Sequence, residues 1–138
     1  MTSGGTLEIS QAAAVRPVVI LDDDDDFREA LAGGIAALGY ATAHFGGIDE
    51  LLVFLAGARP LCLLLDYHLP GDNGLAVQAR LAEARPRVPI VFVSACYDAK
   101  VSRAALASGA VAFLNKPVRL AELERVIEEL ARNDLATS

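Results

Sequence analysis

The stretch VVILDDDDDFREAL, Val18 to Leu31, decides how the chain is read. Its first four residues are apolar without alternation, the pattern of a strand covered on both faces, as in a parallel sheet. Five aspartates, Asp22 to Asp26, stand where that strand must stop. Beyond them Phe27, Ala30, Leu31, Gly34, Ile35 and Leu38 recur at steps of three and four, one apolar face of a helix. Strand, polar turn and amphipathic helix form a unit, and the unit recurs. Further apolar runs lie at Ala41–Phe45, Leu61–Leu65, Ile90–Val93 and Val111–Leu114, each followed by a helical pattern. The last of these carries Leu120, Leu123, Val126, Ile127 and Leu130 on one face. Gly39, Gly57 and Gly109 sit just past helical patterns, where a left-handed cap favours glycine, and Asp98 is placed to cap the fourth helix. Five strand–helix units in strict alternation predict a doubly wound α/β domain with a five-stranded parallel sheet and five helices. Crossovers in such a sheet are right-handed, and ligands bind beyond the carboxyl ends of the strands.

Composition narrows the field. The chain has 138 residues, of which 54% are hydrophobic and 22% charged, a globular balance. We expect one domain over residues 17–132, with flexible tails at 1–16 and 133–138. The net charge of −6 argues against direct nucleic-acid binding, which needs a basic surface. Two cysteines, Cys62 and Cys96, make no disulfide framework, so a reducing, cytoplasmic setting is expected. No apolar run approaches the roughly 18 residues of a membrane span. The first residues lack the basic and apolar regions of a secretory signal.

The strand ends carry the chemistry. The first ends at Asp22 and Asp23, the third at Asp66 and the fourth at Ser94; Lys116 and Pro117 follow the fifth. Carboxylates crowded together repel unless a cation joins them. Oxygen-only donors favour a hard ion, Mg²⁺ or Mn²⁺. A lysine and a hydroxyl on the same rim suit an anionic ligand, so the set describes a phosphoryl-binding site. A carboxylate can itself be the nucleophile and become an aspartyl phosphate. The chain has only two lysines, Lys100 and Lys116, against ten arginines, so a compact ammonium at this rim hints at a steric requirement.

Three segments together resemble the receiver domain of response regulators, the CheY-like family of two-component signalling: VVILDDDDDFREAL, LCLLLDYHLPGDNGL (Leu61–Leu75) and PIVFVSACYDAKVSRAALASGAVAFLNKPV (Pro89–Val118). The likeness covers about residues 16–132. It implies a flavodoxin-like sheet with strand order 2-1-3-4-5. It implies that Asp66 is the phosphoacceptor and that Asp22, Asp23 and Asp66, with the backbone carbonyl of His68, hold Mg²⁺ (Mn²⁺ being the other candidate). Ser94 and Lys116 would bind the phosphoryl group, Ser94 and Phe113 would act as the switch, and the Lys116–Pro117 bond would be cis. The donor would be a sensor histidine kinase or a histidine phosphotransfer protein, and the output a protein partner contacted through the fourth helix, fifth strand and fifth helix. Such a domain catalyses its own phosphorylation and dephosphorylation without being an enzyme in the usual sense. A stand-alone receiver and a piece of a longer regulator are both open, as is a homodimer through the fourth and fifth helices.

Plainer readings stand beside these. Asp24, Asp25 and Asp26 suit a helix cap, and Asp26 with Glu29 has capping-box spacing. Phe113 and Cys62 also fit as core residues. His68 and Cys96, each two residues past a site residue, fit either as tuners of phosphoryl lifetime or as neutral loop positions. A phosphatase of the haloacid-dehalogenase type would use Asp22 and Asp24, but Asp26 departs from that motif and Asp66 would have no role. A receiver-shaped module working without phosphorylation would normally lack one of the acidic pair, the acceptor or the lysine, and all are present.

Overall fold

The computed structural model describes residues 16–69, 71–84, 87–96 and 98–137. The expected N-terminal tail therefore lies outside the described residues, except for Arg16. Five strands form one parallel sheet: β1 (Val18–Leu21), β2 (Thr42–Phe45), β3 (Cys62–Asp66), β4 (Ile90–Ser94) and β5 (Ala112–Asn115), in the order β2-β1-β3-β4-β5. The helices between and after them are α1 (Asp25–Ala37), α2 (Ile48–Leu55), α3 (Gly74–Ala84), α4 (Ala99–Ala107) and α5 (Leu120–Thr137). A two-rung antiparallel hairpin between β3 and α3 pairs His68 with Asn73 and Leu69 with Asp72. This is the doubly wound, flavodoxin-like order read from the sequence.

The apolar runs fail to alternate because both faces of the sheet are covered. Val19, Leu21, Leu63, Leu65 and Phe92 point to one side, against Leu51 and Leu55 of α2, Val77 and Leu81 of α3 and Ala105 of α4. Val18, Ile20, Leu64, Val91 and Val93 point to the other, against Ala32 and Ile35 of α1 and Leu123 and Ile127 of α5. Successive strand residues thus serve different layers, and each large side chain fully buried is worth about 1.5–3 kcal/mol. Edge strand β2, with Thr42 and His44, is the one that reads as partly polar, and His44 is exposed.

Some local expectations shift. The cap of α1 is Asp24, whose side chain accepts from the Phe27 N–H at 3.1 Å, so Asp26 lies inside the first turn rather than opening a capping box. Capping one residue before Asp25 puts both remaining acids at the positive end of the helix dipole. Asp98 caps α4 as expected. Gly39 and Gly109 take the left-handed φ of 101° and 109°, but Gly57 does not; its N–H closes a tight turn onto the Phe54 carbonyl instead. On α1 Ala30 is exposed and Ala32 is buried. Helix α5 continues through Thr137, past the end expected at 132, and an ion pair between Asp134 and Arg16 ties its last turns to the chain ahead of β1.

Candidate functional site: an acidic pocket at the carboxyl edge of the sheet

Register brings the site together. Leu21 of β1 lies beside Leu65 of β3, so the next residues, Asp22 and Asp66, leave the sheet side by side. Asp66 itself lies beside Val93, and Ser94 beside Asn115, which delivers Lys116 to the same edge. The Lys116 N–H donates to the Ser94 carbonyl at 2.8 Å, and the Lys116–Pro117 bond is cis.

The ammonium of Lys116 lies 2.9 Å from Asp22 Oδ2 and 3.8 Å from Asp66 Oδ1. It also sits over the Phe27 ring, 4.2 Å from the centroid. Asp22 is 2% exposed and Asp66 5%, so both carboxylates are withdrawn from water. Asp22 Oδ1 accepts the Asp24 N–H at 2.9 Å, and Asp66 Oδ1 accepts the His68 N–H at 3.3 Å. Carboxylate oxygens of Asp22, Asp23 and Asp66 lie within 4.8 Å of one another. Burial, and after it the neighbouring Asp22, push the Asp66 carboxyl above its ordinary pKa; Asp23 adds to this, while the His68 N–H and Lys116 pull against it. Three carboxylates facing one ammonium leave an excess of negative charge. Hard oxygen donors, an unmet charge and an acid held high in pKa together fit a divalent cation such as Mg²⁺.

The other site candidates are placed as follows. Ser94 is fully buried at the end of β4, and its hydroxyl is turned to its own loop, donating to the Cys96 carbonyl at 2.9 Å and accepting the Cys96 N–H at 3.2 Å. Phe113 is half-buried with its ring 5.9 Å from both Tyr67 and Phe92. The His68 side chain is exposed and meets Tyr67 edge-on at 5.1 Å.

Two features of the site escaped the sequence reading. Arg28 of α1 braces the loop: Nη1 donates to the Asp22 carbonyl at 2.9 Å, Nε to His44 Nδ1 at 2.9 Å, and Nη2 pairs with Asp25 at 2.8 Å. The only trace of this in the sequence is the helical spacing of Asp25 and Arg28. Tyr67, directly after Asp66, is the hub of the aromatic cluster and packs against Phe92 at 5.6 Å. A Cβ at Gly74 would come within 2.5 Å of the Tyr67 ring and 2.8 Å of Phe92, so only glycine lets α3 start this close to the cluster.

Comparison with known proteins agrees with this geometry. The family model for the response regulator receiver domain matches residues 18–128. Nodulation protein W of Bradyrhizobium diazoefficiens is 35% identical over 120 residues, covering 87% of this chain and 52% of that protein. The chain spans about half the length of the first curated relatives it matches. A CheY-like receiver from Methanospirillum hungatei JF-1 superposes with a TM-score of 0.78 at 23% identity, over 88% of this chain and 98% of that one. A Burkholderia pseudomallei response regulator, solved with a phosphorylated aspartic acid, calcium ion and citrate, gives 0.75 at 24% identity, over 88% and 72%. Those two likenesses speak for the fold, while the match along the sequence speaks for the family. With the strand order, the acidic edge and a family match over most of its length, the chain belongs to the response regulator receiver domains of two-component signalling.

Proposed function

We propose that Asp66 accepts a phosphoryl group from a phosphohistidine on a sensor histidine kinase or histidine phosphotransfer protein, and that residues 17–132 form the unit that does so. The observation that carries this is the single ammonium of Lys116 shared between buried Asp22 and Asp66 inside a cluster of three carboxylates. A carboxylate oxygen of Asp66 forms the new O–P bond as the P–N bond of the donor breaks. Asp22, Asp23 and Asp66, with the His68 backbone carbonyl, would hold Mg²⁺ or Mn²⁺, and a bound ion of this kind neutralises charge on the transferring group. The chain's own part is positioning: Arg28 and the Asp24 N–H fix Asp22, and the His68 N–H fixes Asp66.

Phosphorylation replaces the single charge of the Asp66 carboxylate by the roughly double charge of an acyl phosphate, a net gain of about −1, and brings three strong acceptor oxygens to the rim. Lys116 then turns from the carboxylates to the phosphoryl oxygens. The Ser94 hydroxyl leaves Cys96 for the same oxygens, and the loop after β4 follows. Phe113 moves with it against Tyr67 and Phe92, and the face made by α4, β5 and α5 is altered for a protein partner. This is a local charge event read at a distance. The same reading places the protein in the cytoplasm, beside a kinase's phosphohistidine.

The test is exposure of wild type and Asp66→Asn to acetyl phosphate, with and without Mg²⁺, read by intact mass and Phos-tag mobility. A Mg²⁺-dependent gain of one phosphoryl group in wild type alone supports the proposal. No gain in either folded protein from acetyl phosphate or from a phosphohistidine donor would leave the receiver as an interaction module that works without phosphorylation.

A further inference from the structure

We propose that Arg16, Arg59 and Arg87 form a binding site for a small oxyanion carrying two or more negative charges, at the end of the sheet opposite the acidic pocket. The strand order creates it. Strands β1, β3 and β4 are neighbours and parallel, so the segments leading into them lie side by side. Backbone bonds lock them there: the Leu61 N–H donates to the Pro17 carbonyl and the Leu63 N–H to the Pro89 carbonyl, both at 2.8 Å. Arg16, Arg59 and Arg87 come from these three lead-ins, and together they line a cavity of about 330 Å³.

Among the described residues the rest of its lining is small and apolar, including Ala58, Pro60 and Val88, and none of it is acidic. That is unusual placement for cations in a chain of net charge −6. Arg59 and Arg87 are exposed and make no ion pair among the described residues. Arg16 pairs with Asp134 through Nη1, yet its Nε is buried with no hydrogen-bond partner among the described residues. Burial, and then the Arg59 guanidinium, lower the Arg16 pKa from its ordinary value, as expected when like charges face one hollow. An anion in the cavity would relieve that repulsion and supply the missing acceptor.

Guanidinium forks match the oxygens of phosphate and carboxylate groups in pairs, and a cavity of this size suits a small molecule. A nucleic acid is a poorer match, because three cations in one concave spot do not track a phosphate backbone. The site lies far from the Mg²⁺-type donors and does not depend on the phosphoacceptor reading.

The experiment is an NMR titration of the full chain, without divalent ions and at constant ionic strength, following arginine Nε–Hε and backbone amide signals. Sodium pyrophosphate and sodium succinate are the probes, with sodium chloride as the control. Saturable shifts confined to Arg16, Arg59, Arg87 and their neighbours are expected with at least one probe. Pyrophosphate alone would name a phosphate ligand, and succinate alone a carboxylate. Arg59→Gln with Arg87→Gln should weaken binding at least about tenfold, since removing even one charge-assisted hydrogen bond has an effect of that size. Arg87→Gln alone, at an exposed side chain, serves if the double variant does not fold. Shifts that never saturate, that chloride reproduces, or that persist unchanged in the variant would overturn the proposal.

Discussion

Replacing Asp66 by asparagine removes one of three carboxylates whose oxygens lie within 4.8 Å of one another. At an effective dielectric of about 20, two unit charges at 4.8 Å interact by about 3.5 kcal/mol. The repulsion of Asp66 by Asp22 is of that order, and the attraction to Lys116 at 3.8 Å is about 4.4 kcal/mol on the same footing. These nearly cancel. What remains is the cost of burying the charge, plus the push of Asp23 screened by solvent. Without metal, Asp66→Asn should therefore be more stable than wild type by about 1–2 kcal/mol, roughly 4–8 °C in Tm for a domain of this size. The sign follows from the raised Asp66 pKa. The ionised group is a cost above its folded-state pKa, so the gap should close as pH falls through the titration of Asp66. Mg²⁺ at a hundredfold excess over its Kd stabilises the protein that binds it by about 2.7 kcal/mol, so wild type should overtake the variant. Thermal melts of both proteins in chelator and in excess Mg²⁺ make the comparison. A variant that melts below wild type in chelator, or equal Mg²⁺ shifts in the two proteins, would refute the reasoning.

Three further outcomes are expected. Lys116→Ala leaves buried Asp22 and Asp66 uncompensated and should cost about 3 kcal/mol in urea unfolding, with much of the loss recovered by Mg²⁺. Gly74→Ala drives a methyl into the Tyr67 and Phe92 rings and should cost about 1–3 kcal/mol by the same measurement, with near-ultraviolet circular dichroism of the aromatics changed. Iodoacetamide should label Cys96 alone in the native protein, because Cys62 is buried and its thiol is pushed up to about 12; mass spectrometry before and after unfolding distinguishes one adduct from two.

The architecture was legible because a sheet covered on both faces writes itself as unbroken apolar runs, and five such runs lie within a residue of five strands. The acidic edge was legible for a related reason. Residues just past parallel strands must emerge together, so Asp22, Asp66, Ser94 and Lys116 could be placed on one rim from order alone. Orientation was not legible. Nothing local to Ser94 says that its hydroxyl turns to the Cys96 backbone, because that depends on the path of the loop. Arg28 was missed because its partners, Asp22 just past β1 and His44 in β2, meet only after β1 and β2 pair. Among five consecutive aspartates, which one caps α1 turns on one residue of helix phase, and the sequence pattern allowed three. Residues 133–137 were expected in a tail but continue α5, and the Arg16–Asp134 pair that holds its last turns joins residues far apart in the sequence.

The central claim is that Asp66, and no aspartate of the first-strand cluster, takes the phosphoryl group. Borohydride reduces an aspartyl phosphate to homoserine, which peptide mass mapping locates. After treatment with acetyl phosphate and Mg²⁺, the account predicts homoserine at Asp66 and unmodified aspartate at Asp22 to Asp26. Homoserine at Asp22 or Asp24 with Asp66 unchanged would contradict it and return the chemistry to the end of β1.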